Sequence, residues 1–312
     1  MGAEALNNIN LDMGGPWEAV LAVMLALMMF AVALGLKPAQ FSFFKTDPKH
    51  YLAGVVAQII GLPLLTLGLV YLLNPLPSLA LGMILVACCP GGNISNIMSM
   101  FGRANTALSV SMTATSSLAA AFITPVSILF WLSLYPPTRE LLTVINFDVI
   151  AFLLQTLFIL ALPIVLGMIV TRKAPLLAAK IKKPLAIGAV AMMTLMVIIG
   201  FYKYRELIPL TATLVIPLVV IHNACALALG YLSGLLTRAD VPTRRALTFE
   251  VGIQNSALGF VILVTQLNGL GGAAVLVGMW GLWHLVGGWT MVGAFRFADK
   301  KQAIKKRRRI DV

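Results

Sequence analysis

Long apolar runs separated by short polar or charged stretches dominate the chain from about residue 17 to residue 295. A helix needs about 20 predominantly apolar residues to cross the hydrocarbon core of a bilayer. On that measure the pattern predicts nine spans, near 17–36, 51–73, 78–101, 106–134, 147–170, 184–202, 208–236, 247–266 and 271–295. At roughly 20 residues each they consume about 180 residues, which leaves tails and short connections but no room for a separate soluble domain. The pattern therefore predicts an all-α polytopic membrane protein whose function lies inside the bundle. Residues 1–15, without Lys, Arg or an apolar core, are expected to be a short external tail and not a secretory signal. Residues 16–295 form one transmembrane unit, and 296–312 a basic cytoplasmic tail.

Composition narrows the class. The chain has 312 residues, 60% hydrophobic and 11% charged, against about 25% charged in soluble proteins, so a soluble enzyme is excluded. The net charge of +12 would suit a nucleic-acid binder, but long apolar runs separate the basic residues, and they form no basic face. Their distribution is informative in another way. Of the 23 Lys and Arg, 20 fall in 37–50, 102–105, 171–183, 237–246 and the tail after 295, leaving Arg139, Lys203 and Arg205 for the other side. Cytoplasmic loops are enriched in Lys and Arg, so the expected topology has the N-terminus outside and the C-terminus in the cytoplasm of a multi-pass plasma-membrane protein.

Polar residues within the spans carry the functional signal. Ten of the 11 acidic residues fall in tails, loops or span ends, and Glu250 does not. It lies five residues past Arg245, so a carboxylate that snorkels or pairs with arginine is one explanation. The residues after it, Gly252, Gln254, Asn255 and Ser256, suggest another: a helix loosened by glycine whose freed carbonyls line a cavity. A second interruption occurs in CCPGGNISNIMSM, where Pro90 removes a donor, Gly91 and Gly92 permit unwinding, and Asn93, Ser95 and Asn96 supply oxygens. The predicted topology runs the two interrupted spans in opposite directions, as an inverted repeat requires, with halves at about 16–134 and 147–295. Paired interrupted helices point to a secondary transporter's binding site, and no Walker A sequence is present for ATP.

The span after the first break adds Asn105, Thr106, Ser109, Ser111, Thr113, Thr115, Ser116 and Ser117. Ser109 and Thr113 are four residues apart and share a helical face. They either bond to their own backbone and neighbouring helices or form a ladder of neutral oxygens facing the break. One carboxylate with amides, hydroxyls and freed carbonyls is suitable material for sodium, a hard cation. His50 is expected in a cytoplasmic loop, and His222 in the bundle with Asn223. His284 lies mid-span, either structural or in contact with substrate. Cys88, Cys89 and Cys225 lie in apolar segments and make no disulfide framework or zinc spacing.

CCPGGNISN and FEVGIQNSALG, with Val56–Gln58 and the pair His222 and Asn223, resemble the bile acid/sodium symporter family over about residues 17–295. The resemblance implies a core domain with two crossing, unwound helices, a separate panel domain and substrate in the crevice between them. The nine-span count is similar to the vertebrate bile acid transporters, whereas bacterial members often have ten helices. The resemblance also implies two sodium ions. One would be held by Ser95, Asn96, Ser109, Thr113 and Glu250, the other by Gln58, Glu250, Gln254 and the carbonyls of Val251 and Ile253. Substrate, an organic anion such as a bile acid-like steroid or a smaller carboxylate, would contact Asn93, Asn255, Ser256 and His284. The family often has a polar residue directly after that histidine, where this chain has Leu285. The chain is thus expected to be a transporter and not an enzyme. The alternative is an exporter of arsenite or another small oxyanion in the related superfamily, which pairs a membrane cysteine with a membrane glutamate; Cys88 and Cys89 raise it.

Overall fold

A computed structural model describes residues 15–36, 40, 43–145, 147–203, 208–267 and 269–310, and within these every extended element is a helix. Helix α1 spans Gly15–Ala33. Helix α2, Pro48–Leu73, contains a π-helical stretch at Ala57–Gly61. The interrupted span near 78–101 consists of α3 (Pro77–Ala87) and α4 (Ile94–Phe101). Then come α5 (Thr106–Ser133), the short α6 (Pro136–Val144), α7 (Val149–Lys173), α8 (Pro175–Lys203) and α9 (Ile208–Leu236). The second interrupted span consists of α10 (Val241–Gly252) and α11 (Ser256–Gln266), and α12 runs from Gly271 to Ile310.

Local chemistry sets these boundaries. Proline stands in the first turn of α2, α3, α6 and α10, where its missing N–H costs nothing. Asn105, Asp148 and Asp240 cap α5, α7 and α10 by accepting backbone N–H groups at 2.9–3.1 Å. Asn74, in the left-handed region at φ 43°, ends α2.

The helices pack in two groups. Helix α1 lies against α7 and α8, and Gly167 on α7 lets the Ala33 methyl come within 2.6 Å of where its own Cβ would stand. Small residues at membrane-helix contacts permit such approach. Helices α2 to α5 and α9 to α12 form the other group, with α5 and α11 reaching α7 and α1. The largest apolar cluster includes Leu79, Leu81, Ile84, Leu85, Leu132, Phe152, Leu258, Leu263 and Trp280.

Five described helices are long and apolar enough to cross a membrane: Pro48–Leu73, Thr106–Ser133, Val149–Lys173, Thr213–Leu236 and Gly271–Ile304. Shorter apolar helices occur at Ala19–Ala33, Pro77–Ala87 and Ser256–Gln266. Three stretches expected to be connections or tail are more helical than hydropathy suggests. Within 171–183 only Ala174 interrupts helix, 136–144 is helical, and α12 continues through the basic tail to Ile310. Hydropathy locates where charge begins, and helix does not stop there, because Arg and Lys are good helix formers. The first 14 residues, expected to form the external tail, lie outside the described residues.

Candidate functional site

The two breaks lie against each other. Gly91 and Gln254 form an antiparallel bridge, Gly92 N donates to the Ile253 carbonyl at 3.0 Å, and Asn255 N donates to the Pro90 carbonyl at 2.8 Å. Glycine is required here by proximity. A Cβ on Gly91 would stand 2.9 Å from Gln58 Nε2 and 3.1 Å from Glu250 Oε2, and one on Gly92 would stand 3.2 Å from the Gln254 carbonyl oxygen. Ser116 on α5 accepts the Gly91 N–H at 3.2 Å.

Breaking a helix frees the carbonyls of its last turn, and in a membrane each must find a partner. Four consecutive carbonyls of α10 and the second break do. Glu250 O accepts from Gln58 Nε2 at 2.7 Å, Val251 O from Gln254 Nε2 at 2.8 Å, Gly252 O from Asn223 Nδ2 at 2.8 Å, and Ile253 O from Gly92 N. These bonds fix the amide orientations, since a carbonyl needs a donor. The π-helical turn bears on this, because it contains Gln58, which reaches across to α10; π-bulges concentrate at functional positions. The pattern of apolar positions gives no sign of that turn.

The Glu250 side chain is fully buried. Its Oε1 accepts from Ser95 and from Ser109 at 2.5 Å, and Thr113 stands 3.0 and 2.9 Å from its two oxygens. Asn96 Oδ1 lies 2.8 Å from the Ser109 hydroxyl and 3.3 Å from that of Thr113. The structure thus brings together all five residues expected at the first sodium position. It adds Ser99, the second of the two serines on α4, whose hydroxyl donates to Ser109 at 3.1 Å. Arg245 does not pair with Glu250. It forms a salt bridge with Asp299 and donates to the Gly102 carbonyl at 3.1 Å, while Arg296 donates to the Phe101 carbonyl at 2.8 Å. These guanidinium groups satisfy the C-terminal end of α4.

The second group, Gln58, Glu250, Val251, Ile253 and Gln254, is also contiguous. Gln58 Oε1 and Gln254 Oε1 are buried without a hydrogen-bond partner, and the Val251 and Ile253 carbonyls each use one of two lone pairs. Neutral oxygens around one carboxylate fit a monovalent hard cation. Among the described residues no group of three or more His, Cys, Asp and Glu could hold a metal ion.

The four residues expected to touch substrate lie on three elements: Asn93 at the start of α4, Asn255 and Ser256 at the start of α11, and His284 within α12. Asn93 is exposed at the start of α4. Asn255 caps α11 by accepting Leu258 N at 3.1 Å, and Ser256 faces Gly281, whose Cβ would stand 2.6 Å from its hydroxyl. His284 is buried against Trp280, with ring centroids 5.1 Å apart, and Trp280 packs on His222 at 6.0 Å. His222 in turn meets the Thr66 hydroxyl at 2.8 Å. The thiols face elsewhere: Cys88 bonds to Ser127 and Cys89 to the Leu85 carbonyl at 3.2 Å. Among the described residues no hydrogen bond joins either to Glu250.

Comparison with known proteins identifies the family. The model of the sodium bile acid symporter family matches residues 22–210. An uncharacterised sodium-dependent transporter of Bacillus subtilis is 31% identical over 93% of this chain and 87% of its own length. A probable chloroplastic sodium/metabolite cotransporter of Arabidopsis thaliana is 33% identical over 82% of this chain and 61% of its own length. The human ileal sodium/bile acid cotransporter is 30% identical over 81% and 71%. The B. subtilis alignment, covering 93% of the chain, reaches beyond the family-model match. On the strength of a match across more than half its length, this membrane protein belongs to the sodium bile acid symporter family, a family of sodium-dependent transporters and not of enzymes.

Proposed function

We propose that the protein is a sodium-coupled symporter that carries an organic anion into the cell by alternating access. The observation that carries this reading is the convergence of Ser95, Ser109 and Thr113 on Glu250 where the two broken helices are bonded together. Two sodium ions are assigned, one to Ser95, Asn96, Ser109, Thr113 and Glu250, the other to Gln58, Glu250, Gln254 and the carbonyls of Val251 and Ile253. In the first, each hydroxyl proton now directed at the carboxylate turns away, and its oxygen faces the cation. Two cations against one carboxylate leave the site at +1, and a monoanionic substrate near Asn93, Asn255 and Ser256 restores neutrality. Anion binding therefore completes the loaded state and disfavours passage of sodium alone. The net charge moved is drawn inward by about 2.3 kcal/mol per 100 mV.

The same reading assigns nine spans in two inverted halves, 16–134 and 147–295, with the N-terminus outside. The group α1, α7 and α8 is the panel, and α2 to α5 with α9 to α12 the core, moving relative to each other around the breaks. The antiparallel bonding of the breaks and the two-group packing support it. His284 is a substrate contact only if the crevice extends to Trp280. The oxyanion-exporter alternative gains nothing from the thiols, which bond away from Glu250.

Uptake into vesicles across a panel of organic anions, with sodium and then potassium outside, tests the function. Sodium-dependent uptake of at least one carboxylate, lost in Glu250→Ala, is expected. Uptake indifferent to the cation, or full coupling in the variant, would contradict it.

A further inference from the structure

Helices α9 and α12 pack side by side, yet a cavity of about 500 Å3 lies between them, within the range of small-molecule sites. Small residues create it. Ala224 and Ala228, one turn apart on α9, and Gly287 on α12 line a slot where larger side chains would have met. The bundle surface beside it is apolar, with Leu232, Val286 and Trp289 exposed. Asn223 is buried in the slot's wall. Its amide nitrogen is held by the Gly252 carbonyl, while its Oδ1 lacks a hydrogen-bond partner and would lie 2.3 Å from a Cβ on Gly287.

One end of the slot is basic. Tyr231 lines it, and the Arg244 guanidinium lies over that ring, 5.8 Å from the centroid. Arg244 Nε is buried without a hydrogen-bond partner, and among the described residues no carboxylate stands within ion-pair distance of Arg244. Arg245 beside it is committed to Asp299 and lies over Phe295, which also lines the slot. An apolar slot at the bundle surface, with a guanidinium lying over one of its lining rings and outside ion-pair distance of a carboxylate, matches an amphiphile with an anionic head. Basic pockets between membrane helices take anionic lipid headgroups in this way.

We propose that the α9–α12 slot binds an anionic phospholipid, one acyl chain lying along Ala224, Ala228 and Gly287 and the phosphate meeting Arg244. The site is separate from the sodium positions and requires no sodium. The test uses the full chain purified in neutral detergent and sodium-free buffer, with binding of dioleoyl phosphatidylglycerol and dioleoyl phosphatidylcholine measured by native mass spectrometry. Phosphatidylglycerol is expected to bind about fivefold more tightly, the scale of one basic side chain at an anionic surface. Arg244→Gln should remove that preference while keeping phosphatidylcholine binding, and Ala228→Phe should weaken both lipids. Ala224→Leu, filling the same slot elsewhere, checks that the loss is not misfolding. Equal binding of the two lipids by the unaltered protein, or undiminished phosphatidylglycerol binding in both filled variants, would overturn the proposal. So would cholate binding that depends on Arg244 and Ala228 while the phospholipid does not bind.

Discussion

At the first break, between α3 and α4, the backbone passes through Pro90, Gly91 and Gly92 with no charged side chain; at the second, between α10 and α11, it begins after Gly252, two residues past Glu250, and includes Gln254. The first supplies room and the second supplies charge. Room is required because any side chain on Gly91 would enter the space of Gln58 and Glu250. The charge is tolerable because three hydroxyls, two of them on the intact helix α5, reach its carboxylate. The breaks also differ in what satisfies their backbone. Side chains from α2, α9 and the break itself hold the carbonyls of α10, whereas arginines from α10 and α12 hold those at the end of α4. A crossing of this kind divides its labour, with one strand of backbone kept thin so that the other can carry the chemistry.

Removing the charge should produce the largest effect. Glu250→Gln keeps the volume of the side chain, and sodium-dependent uptake should fall by more than the roughly 10- to 100-fold that loss of an outer-shell partner costs at metal sites. Initial rates at saturating sodium check this; a loss confined to low sodium would mean that the carboxylate tunes affinity only.

Filling the room comes next. Gly91→Ala should lower stability by about 1–3 kcal/mol, the usual cost of overpacking, and should reduce uptake as well. Gly68→Ala, with nothing within 4 Å of the added methyl, is its control. If both variants unfold at the same temperature in detergent, the close approach at Gly91 is not a constraint.

The hydroxyls should matter less than the acid they serve. Ser109→Ala and Thr113→Val should each raise the sodium concentration for half-maximal uptake by about tenfold while leaving the maximal rate within about twofold, as expected when only ground-state binding is lost. A collapse of the maximal rate instead would place these residues in the conformational step.

The smallest effect concerns the N-terminus of α10. Asp240 accepts Thr243 N at 2.9 Å, and its bond to Thr243 holds its carboxyl below the ordinary value of 3.8. A folded-state value below the unfolded one gives stability that is present above the unfolded value and is lost as pH falls through the folded one. Asp240→Ala should therefore cost about 1 kcal/mol at neutral pH, and the difference from the unaltered protein should shrink as the pH falls below 3.8 and through the lower folded-state value. A difference that persists there would show that the cap acts through something other than its charge.

Much of this division was legible in the residues. Glu250 stands out because charged residues are expensive in a bilayer, and the Pro-Gly-Gly run because it cannot sustain a helix. Ser109 and Thr113 were legible as sharing one face of α5, whereas their grouping with Ser95 and Asn96 around Glu250 was an expectation from the family resemblance and not from spacing. What hydropathy missed was helix that continues through charge, as at 175–183 and along α12 to Ile310. It also missed the π-helical turn at Ala57–Gly61, a hydrogen-bond slip that leaves apolar periodicity almost unchanged. The fate of Arg245 depended on Asp299, 54 residues away in sequence, and no local pattern could assign that pair. His284 was legible as a polar residue in a span, one turn past Trp280 on the same helix, whereas the packing of Trp280 on His222 depends on how α9 meets α12.

The central claim is that Glu250 and its hydroxyls bind sodium, and sodium titration of thermal unfolding tests it without requiring the substrate to be known. Binding to the folded state alone stabilises in proportion to RT ln(1 + [L]/Kd). The unaltered protein should unfold at progressively higher temperature as sodium replaces potassium at constant ionic strength, and Glu250→Gln should unfold at a temperature independent of the cation. Equal shifts in the two proteins, or no shift in either, would contradict the account.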